Sequence, residues 1–169
     1  MRPEIRRAER EDAEALTQIA HAAKRHWGYP ERWIAEWRDT LTITPDFIAA
    51  NGVYLALEAG EPAGFYALVG DGSDRIVLEH MWVSPEHIGT GLGRKLFEHA
   101  VRKAGSLEVM TMEIESDPNA EGFYRRMGAR LVGESISVID GQPRSLPRLV
   151  LDLPSAADAG GGRKVKRME

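Results

Sequence analysis

The sequence predicts a mixed α/β fold on the basis of two observations. Three strand-like runs between residues 53 and 83 are joined by short connections, which antiparallel neighbours allow and a parallel pair does not. A strand, a glycine-rich turn, a helix and another strand then follow up to residue 114, and this succession predicts a right-handed parallel pair. At 169 residues, the chain is expected to form one domain.

The N-terminal part predicts one strand followed by helices. Residues 3–7 are typical of a short strand. Residues 12–26 predict an amphipathic helix, because their apolar side chains recur at helical spacing. Pro30 suits the first turn of a second helix that carries Trp33, and Thr44 is placed to cap a third, short helical turn.

The remaining elements predict a domain over residues 1–153. The last sixteen residues are poor in apolar side chains and rich in Gly, Lys and Arg, which predicts a flexible basic tail over 154–169. The predicted strands are 53–57, 65–69, 76–83, 107–114, 129–137 and 149–153, and the predicted helices are 91–104 and 119–127.

Composition narrows the class of protein. The chain has no cysteine, which excludes disulfides, thiolate nucleophiles and Cys-ligated zinc, and its five histidines show no metal-ligand spacing, so no metal is expected. A net charge of −4 argues against nucleic acid as a partner. Without a signal peptide pattern or a membrane-length apolar run, a cytoplasmic protein is expected. The sequence leaves a homodimer open.

A glycine-rich segment between strand and helix is the most informative part of the chain. Gly89, Gly91 and Gly93 alternate there, so backbone N–H groups can converge without interference from side chains, at the positive end of a helix dipole. This arrangement predicts a site for a pyrophosphate. A P-loop is excluded because no Lys-Ser or Lys-Thr pair follows. A dinucleotide fold is a rival, but antiparallel hairpins precede the loop and only one further helix follows.

The loop and a second segment resemble the motifs of the GNAT superfamily. Residues 83–93 are similar to its coenzyme A pyrophosphate motif, R/Q-x-x-G-x-G/A, with Gly91 and Gly93 at the small positions and Ile88 where Arg or Gln is usual. Residues 119–129 are similar to its N-x-x-x-F-Y-x-x-x-G-F signature, with Ala129 in place of the final aromatic residue. The strand pattern matches the family over about residues 3–153.

This resemblance implies a twisted, mostly antiparallel sheet with one splayed parallel pair and helices on both faces. The implied reaction transfers acetyl from acetyl-coenzyme A to a primary amine through a ternary complex. A small-molecule amine is expected as the acceptor, but an antibiotic, a polyamine, an amino acid and a protein terminus all stay open. A non-catalytic module that senses acyl-coenzyme A is the alternative. The implied coenzyme contacts are Met81, Trp82, Val83, Ile88, Gly89, Thr90, Gly91, Leu92, Gly93, Arg94, Asn119, Phe123 and Tyr124.

Three residues are candidates for proton transfer. The resemblance places Tyr124 beside the coenzyme sulfur, where its phenol would protonate the leaving thiolate, although a tyrosine there also suits the core. Strict alternation puts Val77, Glu79, Met81 and Val83 on one strand face, which makes Glu79 the candidate base. A bulge would exchange the faces and promote His80, and a water relay would serve either residue.

Two segments are candidates for the wall of the acceptor site. Trp27, Tyr29 and Trp33 lie between the first two helices, where they either contact the substrate or close the core. Glu115, Ser116 and Asp117 follow a predicted strand, where they either line the acceptor pocket or form a capping turn before Pro118.

Overall fold

The computed structural model describes residues 3–154, in which the chain forms one seven-stranded sheet in the order β1-β2-β3-β4-β5-β7-β6. The strands are β1 (Glu4–Arg7), β2 (Gly52–Glu58), β3 (Glu61–Gly70), β4 (Arg75–Val83), β5 (Thr111–Glu115), β6 (Arg130–Ile139) and β7 (Gln142–Asp152). The helices are α1 (Ala13–His26), α2 (Glu31–Glu36), α3 (Arg38–Leu41), α4 (Pro45–Ala50), α5 (Leu92–Gly105) and α6 (Glu121–Arg126).

The sheet is antiparallel at every pairing except one. Strands β4 and β5 run parallel, and their paired residues end at Val77 and Glu113. Beyond that point β4 continues to Val83 along β3 alone, so the two parallel strands separate. The predicted fold class, with its one splayed parallel pair, is therefore confirmed.

Helices cover both faces of the sheet, and each face has its own apolar core. On one face, Leu96 and Phe97 of α5 and Tyr124 of α6 pack against the sheet. Gly64 permits this contact, because a Cβ there would lie 2.9 Å from Leu96 Cδ1 and 2.9 Å from Trp82 O. On the other face, Leu16 of α1 belongs to a core that includes residues of α3 and α4. Burial of these apolar side chains supplies the main driving force for the fold.

The helices begin where local chemistry predicts. The Phe47 N–H donates to Thr44 Oγ1 at 3.0 Å, so Thr44 caps α4 as expected. Gly91 adopts a left-handed conformation, with a φ of +89°, directly before α5. No helix in the described part of the chain is long and apolar enough to cross a membrane.

Some predicted boundaries were wrong. The second helix is interrupted at Trp37, and the strand predicted from 107 begins at Thr111. The last strand begins at Gln142 instead of 149, although it contains Pro143 and Pro147. These prolines are tolerated because β5 pairs only with residues 148–152 of β7, so residues 142–147 have one neighbouring strand. Residues 155–169 lie outside the described range, and the tail and the domain boundary stay predictions.

Candidate active site

The separation of β4 from β5 leaves backbone groups of β4 without a strand partner. The Ser84 N–H donates to Ala63 O of β3 at 2.8 Å. Because successive residues of a strand point their backbone groups to opposite sides, Met81 and Val83 direct their N–H and C=O groups into the gap. An extended amide-containing chain can therefore pair with β4 at these positions.

A β-bulge in β4 lies at the start of this gap. Ala67 pairs with His80 and Leu68 pairs with Leu78, which leaves Glu79 as the extra residue. Strict alternation was therefore the wrong prediction for this strand. Ile76, Leu78, Met81 and Val83 share the face that packs toward α5, whereas His80 and Trp82 lie on the opposite face.

The glycine-rich loop places unpaired N–H groups at the start of α5. Gly89 and Gly91 have φ values of +83° and +89°, which L side chains rarely adopt. Among residues 3–154, no acceptor pairs with the N–H groups of Gly89, Gly91 or the first three residues of α5. These donors meet the requirement for holding a pyrophosphate. Ile88, Thr90 and Arg94 are exposed, so their side chains do not cover the donors.

The glycine at position 93 has a different role, which is packing. Its φ is not positive, and a Cβ there would lie 3.5 Å from Phe123 Cε1. Phe123 of α6 therefore lies beside the start of α5. Leu92 anchors this helix end through its buried side chain.

The Tyr124 ring is buried on the face of the sheet that α5 covers, and only 7% of the residue is exposed. Its ring centroid lies 5.9 Å from that of Phe97 and 5.3 Å from that of Phe123. Burial, with a further contribution from the charge of Asp117, raises the pKa of the Tyr124 phenol well above its ordinary value. The phenol therefore keeps its proton at neutral pH.

A cleft with a volume of about 610 Å³ opens on the opposite face. Carboxylates, cations and apolar groups all contribute to its wall, so it can take a small molecule that has both polar and apolar parts. The polar and aromatic side chains that line it include Lys24, Trp37, Glu79, His80, Trp82, Glu113, Glu115, Ser116, Asp117, Arg144 and Arg148.

His80 is held by an aromatic neighbour within this cleft. The Trp82 indole N–H donates to His80 Nδ1 at 3.1 Å. The neutral ring therefore carries its proton on Nε2, and the lone pair of Nδ1 already accepts the hydrogen bond from Trp82. Burial lowers the pKa of His80 to about 4, so the ring is neutral at pH 7.

A buried polar network closes one end of the cleft. Lys24 Nζ lies 2.7 Å from Asp117 Oδ2, and both side chains are 9% exposed. Tyr29 donates its hydroxyl to the same carboxylate at 3.0 Å. Burial alone would raise the pKa of Asp117, but Lys24 and the hydrogen bonds outweigh it and hold that pKa below its ordinary value. Lys24 Nζ also lies 4.1 Å from the centre of the Trp37 ring.

Only some of the residues predicted for the wall of the acceptor site line the cleft. Glu115 and Ser116 line the cleft. Tyr29 lies behind it as part of the buried network, and its ring stacks on Trp33 at 5.8 Å. Trp27 is 40% exposed and is not among the residues that line the cleft.

Ser116, Asn119 and Trp82 make contacts that differ in part from those predicted for them. Ser116 Oγ donates to Asp117 O at 2.6 Å, and Asp117 caps the following turn, as the alternative prediction described. Asn119 Nδ2 donates to Tyr29 OH at 3.0 Å, so the Asn119 side chain joins the network. Trp82, expected among the coenzyme contacts, has its side chain on the cleft face.

Lys24, Trp37 and Arg144 are among the cleft residues that the sequence analysis did not predict. Lys24 had a detectable signal, because it lies one turn after Ala20 on the apolar stripe of α1, where a charge needs a buried partner. Arg144 had none, since the prolines of β7 concealed the strand that carries it.

Comparison with known proteins identifies the family. The model of the acetyltransferase (GNAT) family matches residues 13–129. The chain is 30% identical over 138 residues to the peptidyl-lysine N-acetyltransferase YjaB of Salmonella typhimurium. The aligned residues make up 71% of this chain and 90% of the relative. The chain belongs to the acetyltransferase (GNAT) family, as its two motifs predicted.

Solved structures agree on the fold. A GCN5-related N-acetyltransferase from Rhodopseudomonas palustris superposes with a TM-score of 0.73 at 22% identity, covering 90% of this chain and 97% of that one. The PaiA N-acetyltransferase from Thermoplasma acidophilum, solved in complex with coenzyme A, superposes with a TM-score of 0.71 at 19% identity. This superposition covers 90% of this chain and 99% of the PaiA chain. Family membership confirms the predicted class of enzyme, an N-acetyltransferase that uses acetyl-coenzyme A as acyl donor.

Proposed function

We propose that the protein transfers the acetyl group to a primary amine by direct attack within a ternary complex. The observation that carries this proposal is that the gap between β4 and β5 joins two surfaces of different chemistry. The unpaired loop amides lie at the start of α5, on one face of the sheet. The cleft that contains Glu79 opens on the other face. Donor and acceptor bound in this way reach the gap from opposite faces.

On the donor side, backbone groups are assigned the binding of coenzyme A. The N–H groups of Gly89, Gly91 and the first turn of α5 hold the pyrophosphate. Met81 and Val83 pair with the amides of the pantetheine arm, and Phe123 packs beside the loop. Bound there, acetyl-coenzyme A supplies the acetyl group as a thioester. A covalent acetyl-cysteine is excluded, because the chain has no cysteine.

On the acceptor side, Glu79 is assigned the role of base. A typical ammonium has a pKa near 10, so deprotonation at pH 7 costs about 4 kcal/mol that a base must offset. The Glu79 carboxylate lines the cleft at the bulge, and no cation of residues 3–154 forms an ion pair with it. His80 is the weaker candidate, because Trp82 already occupies its lone pair.

Tyr124 is assigned the role of acid on the donor side. Its raised pKa keeps the phenol protonated, and α6 holds it next to α5. From this position it gives its proton to the sulfur as the carbon–sulfur bond breaks. Starting from the ammonium, the nitrogen loses two protons and the sulfur gains one, so each turnover releases one proton to solvent. Glu79 accepts the protons of the nitrogen in turn and passes them to solvent, from which Tyr124 regains its own.

The similarity to a peptidyl-lysine N-acetyltransferase favours a second candidate acceptor, the ε-amine of a lysine in a peptide. This amine is also primary, so it falls within the same chemistry.

A thiol-release assay with acetyl-coenzyme A tests the proposal. The acceptor panel comprises amino acids, their carboxamides, polyamines and an end-blocked lysyl peptide. Acetylated product and free thiol are expected in equal amounts from at least one amine. Binding of coenzyme A without transfer to any amine would favour the non-catalytic sensing module instead.

A further inference from the structure

The cleft contains a partly buried arginine that the proposed chemistry does not use. Arg144 on β7 is 13% exposed at its side chain. Its Nη2 donates to Tyr29 OH at 2.6 Å, and its guanidinium carbon lies 5.0 Å from the centres of the Tyr29 and Trp37 rings. These contacts hold the guanidinium in place through Nη2, and Arg144 also lines the cleft.

Arg144 shares the carboxylate of Asp117 with a second cation, Lys24. Asp117 is the nearest carboxylate, but it lies 3.5 Å from Nη2 and already pairs with Lys24 at 2.7 Å. Asp117 also accepts hydrogen bonds from Tyr29 and Asn119, so its oxygens are fully used. Two cations and one carboxylate leave one positive charge at this end of the cleft. Within residues 3–154, Arg144 Nε and Nη1 have no acceptor.

The acidic groups of the cleft lie elsewhere. Glu113 pairs with Arg75 at 3.1 Å, and Glu115 lies opposite Arg148 in the register of β5 and β7. Along β7, Arg144 is four residues from Arg148, or about 13 Å in an extended strand. Glu79 lines the cleft without a cation partner in the described residues. Among the described residues that line the cleft, Glu79 and Glu115 have no ion-pair partner, and near α1 the guanidinium of Arg144 shares the carboxylate of Asp117 with Lys24.

We propose that the acceptor is an amino acid whose carboxylate binds Arg144 while its amine faces Glu79. This assignment rests on the proposed acetyl transfer and specifies its substrate class. The free N–H groups on Nε and Nη1 lie on different edges of the guanidinium, so the carboxylate of the acceptor accepts a charge-assisted hydrogen bond from one of them. The Trp37 and Trp82 rings that line the cleft suit an apolar side chain between the two charged ends.

Matched acceptors measure the contribution of the carboxylate. Each free L-amino acid is compared with its own carboxamide, which keeps the amine and the side chain but lacks the negative charge. The ratio of the two kcat/KM values is compared between the wild type and Arg144→Gln, so intrinsic differences in amine reactivity cancel. The ratio is expected to fall by about tenfold to a hundredfold in Arg144→Gln, as for loss of a charged hydrogen bond.

Two further variants separate binding from folding. Arg144→Lys keeps the charge and is expected to retain part of the preference for the carboxylate. Arg130→Gln makes the same change at an arginine that pairs with Asp152 outside the cleft, and it is expected to leave the ratio unchanged. The thermal shift caused by coenzyme A reports that each variant is folded.

The outcomes distinguish this inference from the proposed function. An equal ratio in the wild type and Arg144→Gln, or a preference for the end-blocked lysyl peptide, overturns the inference and leaves acetyl transfer to amines intact. If no amine is acetylated, the proposed function fails. Calorimetry with free amino acids and the coenzyme A complex then decides the inference: binding that Arg144→Gln abolishes supports it, and absence of binding overturns it.

Discussion

The Trp82 indole donates its N–H to Nδ1 of His80, 3.1 Å away, although only one residue separates the two along β4. The bulge at Glu79 places both side chains on the cleft face, and Phe65 and Phe47 pack around the imidazole. The histidine nearest the candidate active site is thus part of an aromatic wall. The same bulge leaves the glutamate beside it open to the cleft.

His80 should make stability depend on pH. Burial lowers its pKa from 6.5 to about 4, so between these values the unfolded chain binds more protons than the folded chain. The contribution of His80 to the free energy of unfolding is therefore fully present above about pH 6.5. This free energy falls by up to roughly 3 kcal/mol as the pH is lowered toward 4. Urea unfolding from pH 4 to 7 measures the slope.

His80→Gln should flatten that slope, whereas His26→Gln, at an exposed position, should keep it. An NMR titration that puts the His80 pKa near 6.5 would contradict the prediction.

Asp117 should be important for folding as well as for the cleft. Asp117→Asn leaves Lys24 and Arg144 buried without a carboxylate, and loss of one partner of a buried ion pair typically costs about 3–5 kcal/mol. The free energy of unfolding in urea measures this loss. Asp46→Asn is the matched control, because its pair with Arg10 is exposed and contributes little. Equal stability of both variants would contradict the prediction.

The sequence predicted the fold well because its strongest signals are local. Alternating apolar residues, short turns and the spacing of Gly89, Gly91 and Gly93 depend on near neighbours in the chain. The loop and α5 therefore lie where the motifs predicted them. Thr44 caps α4 for the same reason, since its hydroxyl reaches the N–H of Phe47 three residues later.

The site was less predictable, because it depends on pairing between distant segments. Whether Glu79 shares a face with Met81 is decided by the register between β3 and β4. Arg144 reaches Tyr29 across 115 residues of sequence. No local pattern reports that contact, and the prolines around Arg144 argue against a strand there.

The glycine loop predicts a selective loss of coenzyme binding. Gly91→Val forces a β-branched residue into a φ of +89° and distorts the amides that hold the pyrophosphate. The rise in Tm caused by coenzyme A should be abolished, while NAD should cause no rise even in the wild type. Differential scanning fluorimetry measures both.

Gly72→Val is the matched control, because Gly72 has a φ of +87° in the turn between β3 and β4. It should lower Tm to a similar extent but keep the shift caused by coenzyme A. A preserved shift in Gly91→Val would exclude the loop as the binding site.

Tyr124 should contribute to turnover and little to binding. Tyr124→Phe removes one hydroxyl and keeps the packing on Phe97 and Phe123. If this hydroxyl protonates the thiolate, kcat should fall by about one to three powers of ten with little change in the affinity for acetyl-coenzyme A. Tyr54→Phe, at a tyrosine stacked on Tyr66, should keep full turnover. Unchanged turnover in Tyr124→Phe, with chemistry rate-limiting, would assign protonation to solvent.

Glu79 should determine the pH dependence of the reaction. A base must be deprotonated before it can accept the proton of the ammonium, so kcat/KM should rise with pH through the titration of the free enzyme's base. Glu79→Gln keeps the size of the side chain and removes its basicity. It should lower kcat/KM at pH 7 by about two to four powers of ten and erase the rising limb. Glu61→Gln, an exposed glutamate on β3, should leave the profile unchanged. Loss of the limb in His80→Gln, with a normal profile in Glu79→Gln, would transfer the role to His80 and require the imidazole to release the Trp82 N–H.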